Sequence, residues 1–262
     1  MRWHVAVLIV AAACGGDDGV APPVDAGDAG PPDGMGSVEG TPVSSFETST
    51  CSTDVVLALS RQIAEEVDCI MPGQLVRFEE SARIVFTGGA VLPYVSEVAR
   101  ADLLAAVAAN TGKTLRVTSA FRTVVQQYLL NRWFELGRCG ITAAAEPGRS
   151  NHESGRALDI SNYNDWIGAL GAKGWAHDVP GDPVHFDHTS SPDIRGADVL
   201  AFQRLWNRNA PGDPIAEDGD YGPATAERVK RAPAEGFGIG ASCSARFVAT
   251  PPVAATTPAC AM

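Results

Sequence analysis

Basic side chains are scarce in this sequence. Its 262 residues include 20 Lys and Arg against 31 Asp and Glu, a formal net charge of −11. A surface of that sign is repelled by phosphate backbones, which argues against nucleic acid as a partner. Between positions 15 and 50 Lys and Arg are absent altogether, and Gly, Pro, Asp, Ala, Val, Ser and Thr make up most of the stretch. Such a segment buries too little apolar surface to offset its ordering entropy, so it is expected to be a tether that carries much of the net charge. Long apolar runs are also missing: the one at positions 5–13 is far too short to span a bilayer. The loop near residue 218 lacks the ordered D-x-D-x-D-G spacing of a calcium-binding hand.

What is present at the start is one Arg, the short apolar run and small residues leading into Cys14. Residues 1–13 read as an export signal. The "AAAC" that closes it resembles a bacterial lipobox, in which cleavage leaves a lipid-modified cysteine first in the mature chain. Cys14 would then attach the protein to a membrane, with residues 14–50 as spacer, and the expected location is the cell envelope. With Cys14 set aside, Cys51, Cys69, Cys139, Cys243 and Cys260 are disulfide candidates, one of them left over. A continuous helix over 54–68 would hold Cys51 and Cys69 roughly 20 Å apart, so these two are expected to pair elsewhere.

In the folded part, Asp54 reads as the cap of a helix with Val55, Val56, Leu59, Ile63 and Val67 at helical spacing, stopped by "MPG". "ARIVF" and "AVL", joined by Thr-Gly-Gly, suggest a β-hairpin. Residues 95–110 read as a helix with Leu103, Leu104 and Val107 on one face, "TLRVTSAF" as a strand and 123–136 as a helix. "RALDIS" and "PVHFDH" read as strands, with a short helix over 165–173 between them. This mixture has no strict βαβ rhythm, which points to an α+β fold: a small antiparallel sheet flanked by helices. From Asp193 the character changes to "IRGADVLAFQRLWNRN", an amphipathic helix, then a loop and a second short helix at "PATAERVKR". The expected division is 51–190 for the main domain, 191–240 for a small helical module and 241–262 for a tail.

The main chemical clue is clustering. Once His4 in the signal is set aside, His152, His177, His185 and His188 all fall in one short region with Asp159, Asp182 and Asp187. Asp159 lies inside the apolar run Ala157, Leu158, Ile160. Burying even a neutral polar group there without a partner costs roughly 2–7 kcal/mol, and a charge costs more. A bound cation would supply the partner, and two imidazoles with one carboxylate suit a catalytic zinc, which keeps a fourth position open.

The residues Ser150, His152, Gly155, Ala157 and Asp159 in "S-x-H-x-x-G-x-A-x-D", followed by "D-P-V-H-F", resemble the zinc D-alanyl-D-alanine carboxypeptidases. These are relatives of the vancomycin-resistance D,D-peptidases, in the wider group that holds lysostaphin and the Hedgehog signalling domain. The resemblance covers about residues 74–188. It implies that His152, Asp159 and His185 bind zinc and that Asp182, three residues before His185, is the catalytic acid and base, where the family more often has Glu. Upstream, "TSAFRTVVQQYL" is similar to the family's "S-x-Y-R-S-x-x-x-Q" and aligns Ser119, Arg122 and Gln127. By that match Arg122 would hold a substrate's terminal carboxylate through its planar guanidinium. His177 and His188 are expected at the surface or behind the ligands, and Asp187, on the same strand face as His185, is a candidate to contact its imidazole.

Farther on, "VLAFQRLWN" and "EDGDYGPATAERV" resemble a peptidoglycan-binding domain through Val199, Phe202, Gln203, Leu205, Asp218, Gly219, Tyr221, Gly222, Pro223 and Thr225. The usual closing "F-Q" helix is replaced by "RAPAEGFGIGASC", and a small packing appendage is the alternative reading. Together these resemblances imply an exported zinc peptidase acting on D-amino-acid bonds of cell-wall stem peptides, with glycan as a further partner. Two alternatives keep the motif: an endopeptidase using the same zinc, and a wall-binding lipoprotein without turnover. Oligomeric state is not legible.

Overall fold

The computed structural model describes residues 38–243. The expected signal, Cys14, Cys260 and most of the expected tether lie outside the described residues. After 3₁₀ turns at Val43–Phe46 and Thr53–Val56 come helix α1 (Leu57–Ile70) and strands β1 (Val76–Arg77), β2 (Ile84–Phe86) and β3 (Tyr94–Val95). Helix α2 (Glu97–Ala109), strand β4 (Leu115–Ser119) and helix α3 (Val124–Glu135) follow. A 3₁₀ turn at Asn151–Ser154 leads into β5 (Ala157–Ile160), α4 (Ile167–Gly171), β6 (Trp175–Ala176), β7 (His185–His188), α5 (Ala197–Asn209) and α6 (Pro223–Arg231). Among the described residues no helix is long and apolar enough to cross a membrane.

The fold is α+β, as expected. Its main sheet has the order β2-β4-β5-β7-β6, antiparallel except for the β2–β4 pair. One face is apolar: Leu115, Val117, Leu158, Ile160 and Phe186 pack with Leu103 of α2 and Leu170 of α4. Strand alternation sends Leu158, Ile160 and Phe186 to that core and leaves Asp159 and His185 on the opposite face. A second apolar cluster joins α1, α3, α5 and α6 through residues such as Leu59, Ile63, Leu129, Phe202, Leu205 and Val229.

Several local expectations are corrected. "ARIVF" and "AVL" do not form a hairpin: β2 pairs in parallel with β4, and Leu92 instead bridges Phe121. The Thr-Gly-Gly between them crosses the end of β4, where a Cβ on Gly88 would lie 2.3 Å from the Thr118 carbonyl. The first helix is entered through a 3₁₀ turn whose N-cap is Ser52, which accepts from the Asp54 amide. Leu104 is exposed. The end of the expected tether is folded: Val43 is wholly buried, its amide donates to the Ala232 carbonyl at 3.0 Å, and Ala234 N–H donates to Thr41 O at 2.9 Å. These pairings pin residues 41–43 against residues 232–234 and carry Val43 into the core.

Cys51 bonds Cys139 and Cys69 bonds Cys243. Cys51 and Cys69 therefore pair elsewhere, as the helix between them requires. The second bridge and the shared core both tie the segment beyond residue 190 to α1, so the described chain has no break in packing at that boundary.

Candidate metal centre

Three side chains expected to act together arrive by three local routes. Asp159 and His185 are direct cross-strand partners on β5 and β7, which sets their side chains side by side on the polar face. Ser119 is the partner of Asp159 on the other flank. Simple alternation along β4 would send Ser119 to the apolar face with Leu115 and Val117, but the register slips between Val117 and Ser119. The extra residue of this bulge re-aims Ser119 toward the site. His152 comes from the 3₁₀ turn before β5, where Ser150 caps the turn by accepting from the His152 amide. Gly155 ends the turn in the left-handed region at φ 72°, and a Cβ there would meet Ile194 at 3.2 Å and Leu75 at 3.3 Å.

Donor atoms of His152, Asp159 and His185 all lie within 4.8 Å of one another. His152 Nε2 is 3.0 Å and His185 Nδ1 is 3.1 Å from the same oxygen, Oδ1 of Asp159. The tautomer of His152 is decided by the backbone: its Nδ1–H donates to the Ala120 carbonyl at 2.7 Å, because a carbonyl can only accept. Burial lowers the His152 pKa, and the neighbouring Arg122 adds to this, so the neutral ring is favoured. Its Nε2 then presents a lone pair to a carboxylate oxygen, and two acceptors at 3.0 Å repel unless a cation lies between them. This donor set fits a divalent metal of the zinc type, with three protein ligands and room for a fourth.

His185 is gripped from both sides. Burial works against its charge, but Asp159 and Asp187 outweigh that and lift its pKa to about 9. Its Nε2 lies 3.2 Å from Asp187 Oδ1, while Asn151 Nδ2 donates to Asp187 Oδ2 at 2.6 Å. The expectation that Asp187 contacts an imidazole is met, and the contact orients Nδ1 toward Asp159. For Asp159, burial opposes ionisation, yet His185 and the Arg122 guanidinium hold its pKa well below the usual carboxylate range. Metal binding at this site would displace a proton from His185 Nδ1 and leave Nε2–H with Asp187.

Arg122, Ser119 and Gln127 form one hydrogen-bonded unit beside the donors. The guanidinium donates to Gln127 Oε1 at 3.0 Å and to Ser119 Oγ at 3.2 Å, and it lies 3.5 Å from Asp159 Oδ2. Gln127 is held in turn by donating to the Ala145 carbonyl at 2.7 Å. All this opens on a cleft of about 570 Å³ whose wall includes Arg122, Gln127, His152, Asp159, Asp182 and His185. Asp182 is exposed at a tight turn in which its carbonyl accepts from the His185 amide at 3.3 Å. His177 braces that turn by donating to the Pro183 carbonyl at 2.7 Å, and its ring stacks on Tyr163.

His188 departs from expectation. It is fully buried on the apolar side of the sheet, with Nε2 3.1 Å from Asp102 and Nδ1 2.7 Å from Ser191 Oγ. Even spacing along β7 would have shown this, since His188 shares the face of Phe186 and points away from His185 and Asp187. Sequence reasoning also missed Glu153. Wholly buried, it accepts from the amides of Gly148 and Ser150, each at 2.8 Å. Burial pushes its carboxyl up to about 7 although both amides stabilise the anion. The signal was legible as Ser-x-x-Glu, the capping-box pattern. Ala120 carries no such signal, because it acts through its carbonyl.

Residues that carry the peptidoglycan-binding resemblance are occupied with the fold. Gln203 is buried; its Nε2 donates to Asp218 Oδ1 and Thr225 Oγ1, and its Oε1 accepts from the amides of Asp218 and Gly219. Val199, Phe202 and Leu205 are core. The motif pins the loop onto α5.

Residues 95–175 match the family model for VanY, D-alanyl-D-alanine carboxypeptidase. No curated protein matches the chain. Among solved structures, the chain is similar to the LdcB LD-carboxypeptidase, whose structure is described as revealing the molecular basis of peptidoglycan recognition. The identity is 20% over 50% of this chain and 73% of that one, with a TM-score of 0.34.

Proposed function

We propose, from the premise that residues 95–175 are a domain of the VanY D-alanyl-D-alanine carboxypeptidase family, that this protein removes the terminal D-alanine from cell-wall stem peptides with zinc as cofactor. The observation that carries the reading is the convergence of two imidazole nitrogens on one oxygen of Asp159, with the buried guanidinium of Arg122 alongside. A cation holder next to a carboxylate holder is what cleavage at a free C-terminus requires.

His152, Asp159 and His185 would hold the zinc. The chemistry such an ion supplies is polarisation of a carbonyl and a lowered pKa for water. Arg122, steadied by Ser119 and Gln127, binds the terminal carboxylate and so places the last peptide bond over the donor cluster. Asp182 takes a proton from the attacking water on its carboxylate and returns it to the nitrogen of the departing D-alanine.

The test is incubation of purified protein with diacetyl-Lys-D-Ala-D-Ala, with and without a chelator. Release of D-alanine that stops on chelation and returns with zinc supports the reading. Zinc binding without release would refute the carboxypeptidase reading and leave the endopeptidase and the wall-binding lipoprotein, which cleavage of cross-linked peptidoglycan would separate. Arg122→Lys should raise KM for this peptide by roughly ten- to a hundredfold with a smaller change in kcat, because a point charge cannot keep the forked contact. An unchanged KM would remove Arg122 from carboxylate recognition.

The same reading keeps the protein in the envelope, with a lipid on Cys14 as its anchor. Cys14→Ser should then move it from the membrane fraction to the soluble fraction. Wild-type protein found wholly soluble would refute the anchor.

A further inference from the structure

A second cavity, of about 660 Å³, adjoins the cleft and shares Arg149 with it. It shares none of the carboxylate-holding residues Ser119, Arg122 and Gln127, so a peptide anchored on them by its C-terminus reaches Arg149 with its upstream part. The far wall comes from two loops beyond the segment that matches the family, at residues 193–196 and 219–222. Gly196 and Gly219 lock these loops together. Both have positive φ, and a Cβ on either would lie 3.0 to 3.1 Å from the other's carbonyl oxygen, so the cavity is set by backbone contact. Its charged side chains are of two kinds. Asp193 and Arg195 neutralise each other, with Arg195 Nε 3.0 Å from Asp193 Oδ1, and Arg156 adds a contact to Asp193 at 3.1 Å. Glu146, Arg149 and Asp220 are exposed, and their side chains have no hydrogen bond or ion pair among the described residues. One free guanidinium and two free carboxylates therefore border a single space. Their complement carries a carboxylate and an ammonium on one carbon, as the head of an α-amino acid does. A lone amine would leave Arg149 unmatched, and a lone carboxylate would face Glu146 and Asp220.

We infer that this cavity is a specificity subsite for a diamino acid of the stem peptide whose side chain ends in a free amino acid head, as that of meso-diaminopimelate does. Arg149 takes the side-chain carboxylate, and Glu146 with Asp220 takes the ammonium. The inference rests on the peptidase reading, in which Arg122 holds the terminal carboxylate, and goes beyond it by naming the stem peptides that bind best. A stem with lysine at that position lacks the carboxylate and loses the Arg149 contact. Because the far wall lies outside the matched segment, the preference belongs to this chain's own C-terminal part.

The test is calorimetric binding of L-Ala-γ-D-Glu-meso-diaminopimelate-D-Ala-D-Ala to the full chain, held in chelator so that the peptide stays intact. Two analogues each alter one group: in one the side-chain carboxylate is amidated, in the other the side-chain amine is acetylated. Each change should weaken binding by about five- to tenfold, the loss of one charge-assisted contact. In Arg149→Gln the amidation effect should shrink to within about twofold while the acetylation effect stays. In the Glu146→Gln, Asp220→Asn double variant the reverse should hold. All three side chains are exposed, so these variants should fold. Equal affinity of wild type for the three peptides, or no binding of any, would overturn the inference. So would an amidation penalty that survives Arg149→Gln or an acetylation penalty that survives the double variant. Binding is read here without zinc or turnover. Failure of the zinc-loaded protein to release D-alanine, with these preferences intact, would therefore refute the peptidase reading alone, whereas release without the preferences would refute only the subsite.

Discussion

Asp159→Asn is expected to abolish stoichiometric zinc binding and to lower turnover by more than the roughly hundredfold that loss of a partner behind a ligand can cost. The substitution preserves shape but removes the one anionic donor shared by His152 Nε2 and His185 Nδ1. In the metal-free protein the substitution also removes the carboxylate beside the buried Arg122 guanidinium, so the two proteins differ in stability before zinc is added. The clearest measurement is therefore a difference. Zinc should raise the wild-type Tm, since a ligand at about a hundred times its Kd adds roughly 2.7 kcal/mol. The variant should show no rise. A variant that keeps one zinc per chain and full turnover would refute the metal assignment.

Asp182→Asn should separate metal from chemistry. The side chain lies in the wall of the same cleft, outside the three-residue donor group, so zinc content should be unchanged. Removing a general acid and base costs about a hundredfold to ten-thousandfold in rate, and kcat should fall by that amount with little change in KM. Position is secured by the turn: Asp182 N–H donates to the Val179 carbonyl at 3.2 Å, and its own carbonyl accepts from His185. Pro183 fixes φ immediately after it. Asp187→Asn and His177→Gln are the comparisons, because each supports a neighbour of Asp182. If Asp182→Asn retains near-full turnover, whichever of these two abolishes kcat with zinc still bound takes the role. His188 is no longer a rival, since the sheet separates it from the cleft.

The two variants also divide the molecule's polar groups by the distance over which they could be recognised. Asp159 was legible because a carboxylate in the run Ala157–Ile160 contradicts its neighbours, and period-two alternation assigns it a face. Ser119 shows the opposite. Alternation counted along β4 gives the wrong face, and only pairing with β5 reveals the bulge that corrects it. The hairpin expected from two apolar runs failed for a related reason: β4 offered β2 a partner that local turn residues could not indicate. The C-terminal motif was legible as a pattern, yet its residues bond to one another and pack into the core.

The sequence by itself determined the donor types, their spacing and the alternation that puts two of them on a polar face, because these depend on residue identity and on strand geometry. Tertiary structure alone decided how those donors are tuned. The His152 tautomer comes from a carbonyl 32 residues away, and the His185 orientation comes from an aspartate held by Asn151. The seat of the loop that carries His152 comes from Ile194, outside the matched segment, whose amide donates to the Ser154 carbonyl. Each is a hydrogen bond or ion pair across separate elements. Backbone carbonyls leave no mark in residue identity, and a buried acid announces its role only once packing has chosen its partner.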